Sequence, residues 1–178
     1  MELDILVRPA KIDDVAAVAK LHVDTWRTTY SGLIAPDFLS SLTYEEKEAQ
    51  WMQGMKASSS RTQRLVATHD GVVAGFSIVG QRGPDEWGDA SEMYALYVAE
   101  GLQGRGIGKQ LFDSASTWAH DAGHDRLIIR VLKGNEPAIR FYGSRGAILC
   151  GEENVQIGGR TYLEHVYVLA LGNEPEVR

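Results

Sequence analysis

Cysteine is almost absent from this sequence, since Cys150 is the only one among 178 residues. A lone thiol cannot form a disulfide within the chain, and sparse cysteine is typical of proteins in a reducing compartment. No apolar run approaches the roughly 20 residues of a membrane-spanning helix. The N-terminal stretch MELDILVRPA has neither the basic start nor the apolar length of a signal peptide. We therefore expect a cytoplasmic protein with no membrane partner.

Clusters of basic residues are absent as well. The chain has 18 Lys and Arg against 24 Asp and Glu, a net charge of -6, and no basic stripe that could follow a phosphate backbone. We expect no nucleic-acid partner and a lean toward cationic or neutral small substrates. The five histidines are scattered over the chain, and there is no second cysteine to join them. No metal site is therefore predicted.

The distribution of apolar residues is that of one globular domain, with 44% hydrophobic residues and no internal repeat. We predict a single domain over residues 1–178, with its core at about 3–171. Asp13 and Thr43 are the expected N-caps of the first and third helices. Alternation predicts strands at 3–8, 64–69, 72–79, 93–98, 126–132, 147–157 and 161–171, and helical spacing predicts helices at 13–30, 36–42, 43–55, about 107–122 and from 137 to about 143. The fold class is α/β (α+β), a mixed central β-sheet of about seven strands flanked by helices.

A glycine-rich turn connects the central predicted strand to the following helix. Glycines between a strand and a helix N-terminus let backbone N–H groups approach an anion such as a pyrophosphate. A Walker A loop is excluded because Gln103 and Gln110 occupy its first glycine and its Ser/Thr position. A dinucleotide fingerprint is excluded because Lys109 occupies its third glycine position. The turn is therefore expected to bind an anion in some other way.

The spacing that fits is Gln103-x-x-Gly106-x-Gly108, directly after a strand ending in Leu-Tyr-Val. This spacing, together with the order of elements over residues 3–171, resembles the GNAT superfamily of N-acetyltransferases. The resemblance implies the GNAT acyl-CoA N-acyltransferase fold and direct transfer of acetyl from acetyl-CoA to a primary amine of a small molecule or amino-acid-like acceptor. The alternatives are a protein lysine or N-terminal acetyltransferase and a non-catalytic acyl-CoA-binding sensor. The resemblance also implies a homodimer.

By the same resemblance, the coenzyme arm would lie along the strand before the glycine turn. The pyrophosphate would meet the backbone N–H groups of the turn, where the first amides of a helix lack intrahelical partners. The residues implied to bind the coenzyme are Leu96, Tyr97, Val98, Gln103, Gly104, Arg105, Gly106, Ile107, Gly108, Lys109, Asn135, Ala138 and Tyr142.

Asn135 and Tyr142 lie seven residues apart, which is about two helical turns and places both on one helix face. The resemblance puts the asparagine on the coenzyme arm and the tyrosine near the thioester sulfur. A tyrosine, with a reference pKa of about 10, can protonate a departing thiolate, whose thiol has a pKa of about 8.5. The alternative for Tyr142 is a core aromatic residue with a satisfied hydroxyl.

The sequence offers two candidates for the general base. Glu92 opens the central strand, where the resemblance implies an acid that removes the amine proton. The alternative is a carboxylate at a strand edge in solvent. His22, on the apolar face of the first helix, is a second candidate, against a satisfied core histidine. Cys150 has no base or helix N-terminus beside it in sequence, which favours direct transfer over a covalent enzyme intermediate.

The acceptor is expected, by resemblance, between the first helical region, the loop before the central strand and the last hairpin. The substrate-binding candidates are Trp26 and Tyr30 from the first region and Asp85 from the loop. An acidic residue in that loop would suit a cationic amine. The alternative is a solvated loop and a Trp26 that only packs in the core.

Overall fold

In the part of the chain that the structure describes, seven strands and five α-helices follow one another in the order expected from the sequence. The computed structural model describes residues 4–57, 60–83, 88 and 90–172. The strands are β1 (Ile5–Pro9), β2 (Thr62–His69), β3 (Val72–Gln81), β4 (Ser91–Val98), β5 (Arg126–Leu132), β6 (Ile148–Ile157) and β7 (Arg160–Ala170). The helices are α1 (Val15–Thr29), α2 (Pro36–Ser41), α3 (Tyr44–Lys56), α4 (Ile107–Asp121) and α5 (Glu136–Ser144). Within the described ranges, no helix has the length and apolar character needed to span a membrane.

The strands form one mixed sheet in the order β1-β2-β3-β4-β5-β7-β6. β4 and β5 are parallel, and α4 connects them as the crossover helix. Every other neighbouring pair is antiparallel. The fold class predicted from the sequence is confirmed.

The two faces of the sheet are covered by different helices. α4 and α5 pack on one face, in a core that includes Leu111 and Tyr142, while α1 and α3 cover the other with Val18 and Trp51. The face assignment changes along β4 because the β3–β4 register shifts between Ile78 and Val79. Such a bulge rotates the strand by one residue. After the bulge, Tyr97 belongs to the α1 face.

The first helix begins differently from the sequence prediction. Asp13 was expected as its N-cap, but residues 12–14 form a short 3-10 turn, and Asp14 stands at the N-cap position of α1 without a side-chain cap bond. The Asp14 carboxylate instead accepts from the Lys11 N–H and pairs with Arg8 at 2.7 Å. The prediction for α3 is confirmed, because the Thr43 hydroxyl accepts the Glu46 N–H at 3.2 Å.

Candidate active site

A gap opens between the two parallel strands at the centre of the sheet. β4 pairs with β5 only through residues 91–93, whereas β5 continues to Leu132 beside β7. On its other edge, β4 stays bonded to β3, and the Ala99 N–H donates to the Ala74 carbonyl at 2.9 Å. Since peptide groups alternate in direction along a strand, the N–H groups of Leu96 and Val98 point into the gap. The gap therefore offers a free strand edge.

The glycine turn that follows β4 leaves a run of backbone donors free. Gly104 and Gly106 have φ of 74° and 85°, a backbone region that glycine enters without strain. The first bond of α4 runs from the Gln110 N–H to the Gly106 carbonyl. Among the described residues, the N–H groups at 104–109 have no hydrogen-bond partner. Six free amides at a helix N-terminus make a concave anion site.

Gln103 fixes this turn to the strand. Its side-chain amide donates to the Val98 carbonyl at 3.2 Å. The glutamine therefore occupies the carbonyl of the final residue of β4 on the gap side. The N-terminus of α4 lies close to the strand, since a Cβ on Gly108 would meet Val98 and Phe141 at 3.6 and 3.7 Å. The anion site and the free strand edge are therefore adjacent parts of one surface.

A cavity of about 590 Å³ joins the gap, the glycine turn and α5. Eleven of the thirteen residues expected to bind the coenzyme line it; the two that do not are Ile107, which is buried in the core, and Arg105, which is exposed. Five further residues line the cavity that were not expected from the sequence, although three of them lie within or next to the predicted stretches: Thr28, Thr29, Glu100, Pro137 and Phe141.

Tyr142 lies at the inner wall of this cavity. Its side chain is held by ring contacts to Phe112 and Phe141, with centroids 5.9 and 5.2 Å away, and the residue is 7% exposed. Burial raises the pKa of its hydroxyl well above the ordinary value, and nearby Tyr30 adds to the effect. The hydroxyl makes no hydrogen bond to the described residues. It is therefore a neutral proton donor directed at the cavity.

Asn135 lies just before α5 rather than within it. Its side-chain oxygen accepts the Ala138 N–H at 3.4 Å and caps the helix. The residue is buried and lines the same cavity as Tyr142, although it caps α5 and does not lie on its face as the seven-residue spacing predicted. Its capping bond uses the oxygen, so the amide N–H groups remain available to a ligand.

Tyr30 reaches the cavity from the end of α1, but Trp26 does not. The Tyr30 hydroxyl lies 2.9 Å from the hydroxyl of Tyr97, and both residues line the cavity beside Tyr142. Trp26 stands behind Tyr30, with ring centroids 4.9 Å apart. Asp85, the third acceptor candidate, lies outside the described residues.

His22 is a core residue in this arrangement. Its Nδ1 accepts the indole N–H of Trp51 at 3.2 Å, and its ring stacks on Tyr97 with centroids 5.5 Å apart. Burial, assisted by the charge of Lys47, lowers the pKa of His22 to about 3. His22 does not line the cavity, so the satisfied core histidine is the interpretation that fits.

Glu92 lies neither at the cavity, as a general base would, nor at a strand edge in solvent. Its side chain is only 12% exposed, and its two oxygens lie 2.7 Å from Arg130 and 3.3 Å from Arg82. Arg130 also donates to Glu153 at 2.9 Å. Glu92 does not line the cavity. It is part of a charge network on the α1 face of the sheet.

Glu164 on β7 is a further acid of this network that the sequence did not single out. It lies directly opposite Glu153 in the β6–β7 ladder. Burial raises the pKa of Glu164, and the charges of Glu153 and Glu92 add to this while Arg130 opposes it. Glu164 also lies opposite Leu132 in the β5–β7 ladder, and Tyr30 of the cavity wall packs against the core cluster that contains Leu132.

Three comparisons with known proteins agree with this geometry. The pattern of the acetyltransferase (GNAT) family matches residues 17–147. An uncharacterized N-acetyltransferase of Bacillus subtilis, YuaI, is 34% identical over 155 residues, 87% of each chain. Streptothricin acetyltransferase of Streptomyces lavendulae is 32% identical over 102 residues, 57% of this chain and 52% of that protein. The PaiA N-acetyltransferase of Thermoplasma acidophilum, solved in complex with coenzyme A, superposes with a TM-score of 0.73 at 18% identity, covering 94% of this chain and 99% of that one.

Proposed function

The chain belongs to the acetyltransferase (GNAT) family and is an acyltransferase, and we propose that it transfers acetyl from acetyl-CoA directly to a primary amine of a small molecule or amino-acid-like acceptor. The observation that carries the proposal is the continuity of one cavity from the free amides of the glycine turn to the Tyr142 hydroxyl. A pyrophosphate anchor at one end and a proton donor at the other match the two ends of an acyl-CoA.

The donor would lie along the free edge of β4. Its pyrophosphate would accept hydrogen bonds from the six amides at 104–109, helped by the α4 dipole. The amide groups of its pantetheine arm would pair with the inward-pointing peptide groups of Leu96 and Val98, as an added strand does. Asn135 is placed to donate to the same arm. This order brings the thioester to Tyr142.

The chemistry then follows from the neutral Tyr142 hydroxyl. The amine nitrogen forms a bond to the thioester carbon, and the carbonyl electrons move onto oxygen. When the carbonyl reforms, the carbon–sulfur bond breaks and its electron pair leaves with sulfur. Tyr142 gives its proton to that sulfur, and the proton lost by the nitrogen restores the phenol by way of solvent. No covalent enzyme intermediate is required.

The charge network on the α1 face supports a cationic amine as the acceptor. Three carboxylates, from Glu92, Glu153 and Glu164, face the two guanidinium groups of Arg82 and Arg130. The network reaches the tyrosine end of the cavity, because Glu164 pairs across the ladder with Leu132, and Tyr30 packs against the core cluster that contains Leu132. The carboxylates there would attract an ammonium group. One relative, streptothricin acetyltransferase, is named for streptothricin as its acceptor.

Thiol release from acetyl-CoA across a panel of small amines, amino acids and peptides tests the proposal. We expect turnover with small cationic amines and a loss of about 10²–10⁴-fold in kcat for Tyr142→Phe with coenzyme A binding retained. Turnover only with peptides would indicate a protein acetyltransferase. Tight coenzyme binding without turnover would indicate a sensor. The single-domain organisation, the cytoplasmic location and the homodimer remain predictions from the sequence.

A further inference from the structure

Two tyrosine hydroxyls at the end of the cavity share one hydrogen bond. The oxygen atoms of Tyr30 and Tyr97 are 2.9 Å apart, and either can be the donor. Each phenol carries one O–H, so a bond between them uses one hydrogen and leaves the other. Whichever residue donates, the pair therefore retains one O–H group that has no partner within it.

No described residue accepts this second O–H. The indole nitrogen of Trp26 lies close enough to Tyr97 to affect its pKa, but it is buried without meeting hydrogen-bond geometry. An indole N–H is only a donor and cannot accept the proton in any case. The Tyr142 hydroxyl, although near, forms no hydrogen bond to either phenol. The free O–H therefore lies at the cavity that both tyrosines line, where a ligand can accept it.

The pair is both neutral and rigid. Burial raises the pKa of Tyr30 and of Tyr97, so both keep their protons at neutral pH. The Tyr97 ring is held between His22 and Phe76, with both centroids 5.5 Å away. The Tyr30 ring stands edge-on against Trp26 at 4.9 Å. A fixed O–H dipole in an apolar wall stabilises developing negative charge without having to reorganise.

We propose that the Tyr30–Tyr97 pair donates its second O–H to the carbonyl oxygen of the acyl donor and stabilises the oxyanion of the tetrahedral intermediate. The inference rests on the proposed function, which places the thioester sulfur at Tyr142. The carbonyl oxygen is two bonds from that sulfur, and Tyr30 is close enough to Tyr142 to affect its pKa. The two phenols and Tyr142 thus serve different atoms of the same group.

The double variant Tyr30→Phe/Tyr97→Phe is the decisive one. Each single variant keeps one O–H that can still reach the oxygen, so each is expected to lose part of the activity. The double variant is expected to lose about 10²–10³-fold in kcat, as removal of one oxyanion donor does, with the Kd for coenzyme A unchanged. Tyr94→Phe is the matched control, because Tyr94 is a half-exposed tyrosine on the same strand that does not line the cavity.

Infrared difference spectra of bound acetyl-CoA, labelled with ¹³C at the carbonyl, test the contact without turnover. A hydrogen bond lowers the carbonyl stretching frequency, so we expect a lower frequency in the wild type than in the double variant. Should the double variant not fold, Tyr30→Phe alone must raise the frequency partway. Equal frequencies in wild type and variant, or kcat within about threefold of the wild type, would overturn the inference.

These measurements distinguish a failure of the proposed function from a failure of the role given to the tyrosine pair. A wild type that neither binds nor turns over acetyl-CoA would refute the proposed function itself. A wild type that binds it and acetylates amines, with a carbonyl frequency insensitive to both tyrosines, would refute only the role of the pair.

Discussion

Glu92 and Arg130 form an ion pair between the two parallel strands, with 2.7 Å from the Arg130 Nη1 to the Glu92 Oε1. Arg82 lies 3.3 Å from the other oxygen of the same carboxylate. Both oxygens therefore face cations, and neither is directed into the cavity. Glu92 lies one residue before the β4–β5 ladder ends at Met93, and Arg130 follows the last paired residue of β5, Ile129. The pair is placed to hold the closed end of the gap.

We predict that Glu92→Gln lowers the free energy of unfolding by about 1–3 kcal/mol, because two partly buried guanidinium groups then face a neutral amide. The acid limb of the pH profile of kcat/KM should be unchanged. Urea denaturation and pH–rate profiles measure the two effects, with Glu48→Gln on the exposed face of α3 as the control. Disappearance of the acid limb in Glu92→Gln alone would restore Glu92 as the general base.

Gly106 is predicted to support coenzyme A binding through its backbone conformation. Its φ of 85° is strained for any residue with a Cβ, although no atom lies within 4 Å of where that Cβ would be. Holding an alanine in this conformation costs about 1–2 kcal/mol of backbone strain. If the loop changes conformation to relieve the strain, its free N–H groups turn away from the ligand. We expect Gly106→Ala to weaken coenzyme A binding about tenfold or more, measured by calorimetry.

Gly101 supplies the control for this change. It lies in the same loop, has space for a Cβ and does not require a positive φ. Gly101→Ala should bind coenzyme A as the wild type does. Equal affinity for the Gly106 and Gly101 variants would mean that the turn does not hold the coenzyme.

Local patterns in the sequence were enough to predict the fold class and to single out most of the residues that line the cavity. The turn Gly104–Gly108 and the pair Asn135 and Tyr142 lie within short stretches whose spacing is fixed by a strand and a helix. The proposed acceptor half depends on contacts over long separations. Tyr30 and Tyr97 meet 67 residues apart, and nothing in either local pattern indicates the partner.

The role of Glu92 could not be predicted for a related reason. Its environment is set by Arg130, 38 residues away on the next strand, and by the bulge between Ile78 and Val79 that shifts the β3–β4 register. A bulge changes which face a side chain occupies, and hydrophobic alternation alone does not locate it.

His22 should make the protein less stable in acid. Its pKa is lowered to about 3 by burial, whereas in the unfolded chain it is near 6.5. Below pH 6.5 the unfolded state therefore takes up a proton that the folded state does not, and the stability present at neutral pH falls until the pH reaches about 3. The slope contributed is at most about 1.4 kcal/mol per pH unit.

We expect His22→Gln to remove this contribution, since an amide oxygen can still accept the Trp51 indole N–H. Urea denaturation at a series of pH values measures the slope, and His120→Gln at an exposed position of α4 should keep it. A slope that is the same in His22→Gln and the wild type would show that the histidine is not buried in its neutral form.

Glu164 is predicted to favour function at the expense of stability. Its pKa is raised by burial and by Glu153 and Glu92, with Arg130 opposing. The unfolded chain therefore loses this proton at a lower pH than the folded chain, and stability falls as the pH rises through that window. We expect Glu164→Gln to raise the melting temperature at neutral pH, with the gain vanishing below pH ~4, where the wild-type carboxyl is protonated in both states.

The same variant should raise KM for a cationic acceptor while leaving KM for acetyl-CoA unchanged. A variant that is neutral in stability at pH 7, or that alters KM for the two substrates equally, would contradict the placement of Glu164 beside the acceptor.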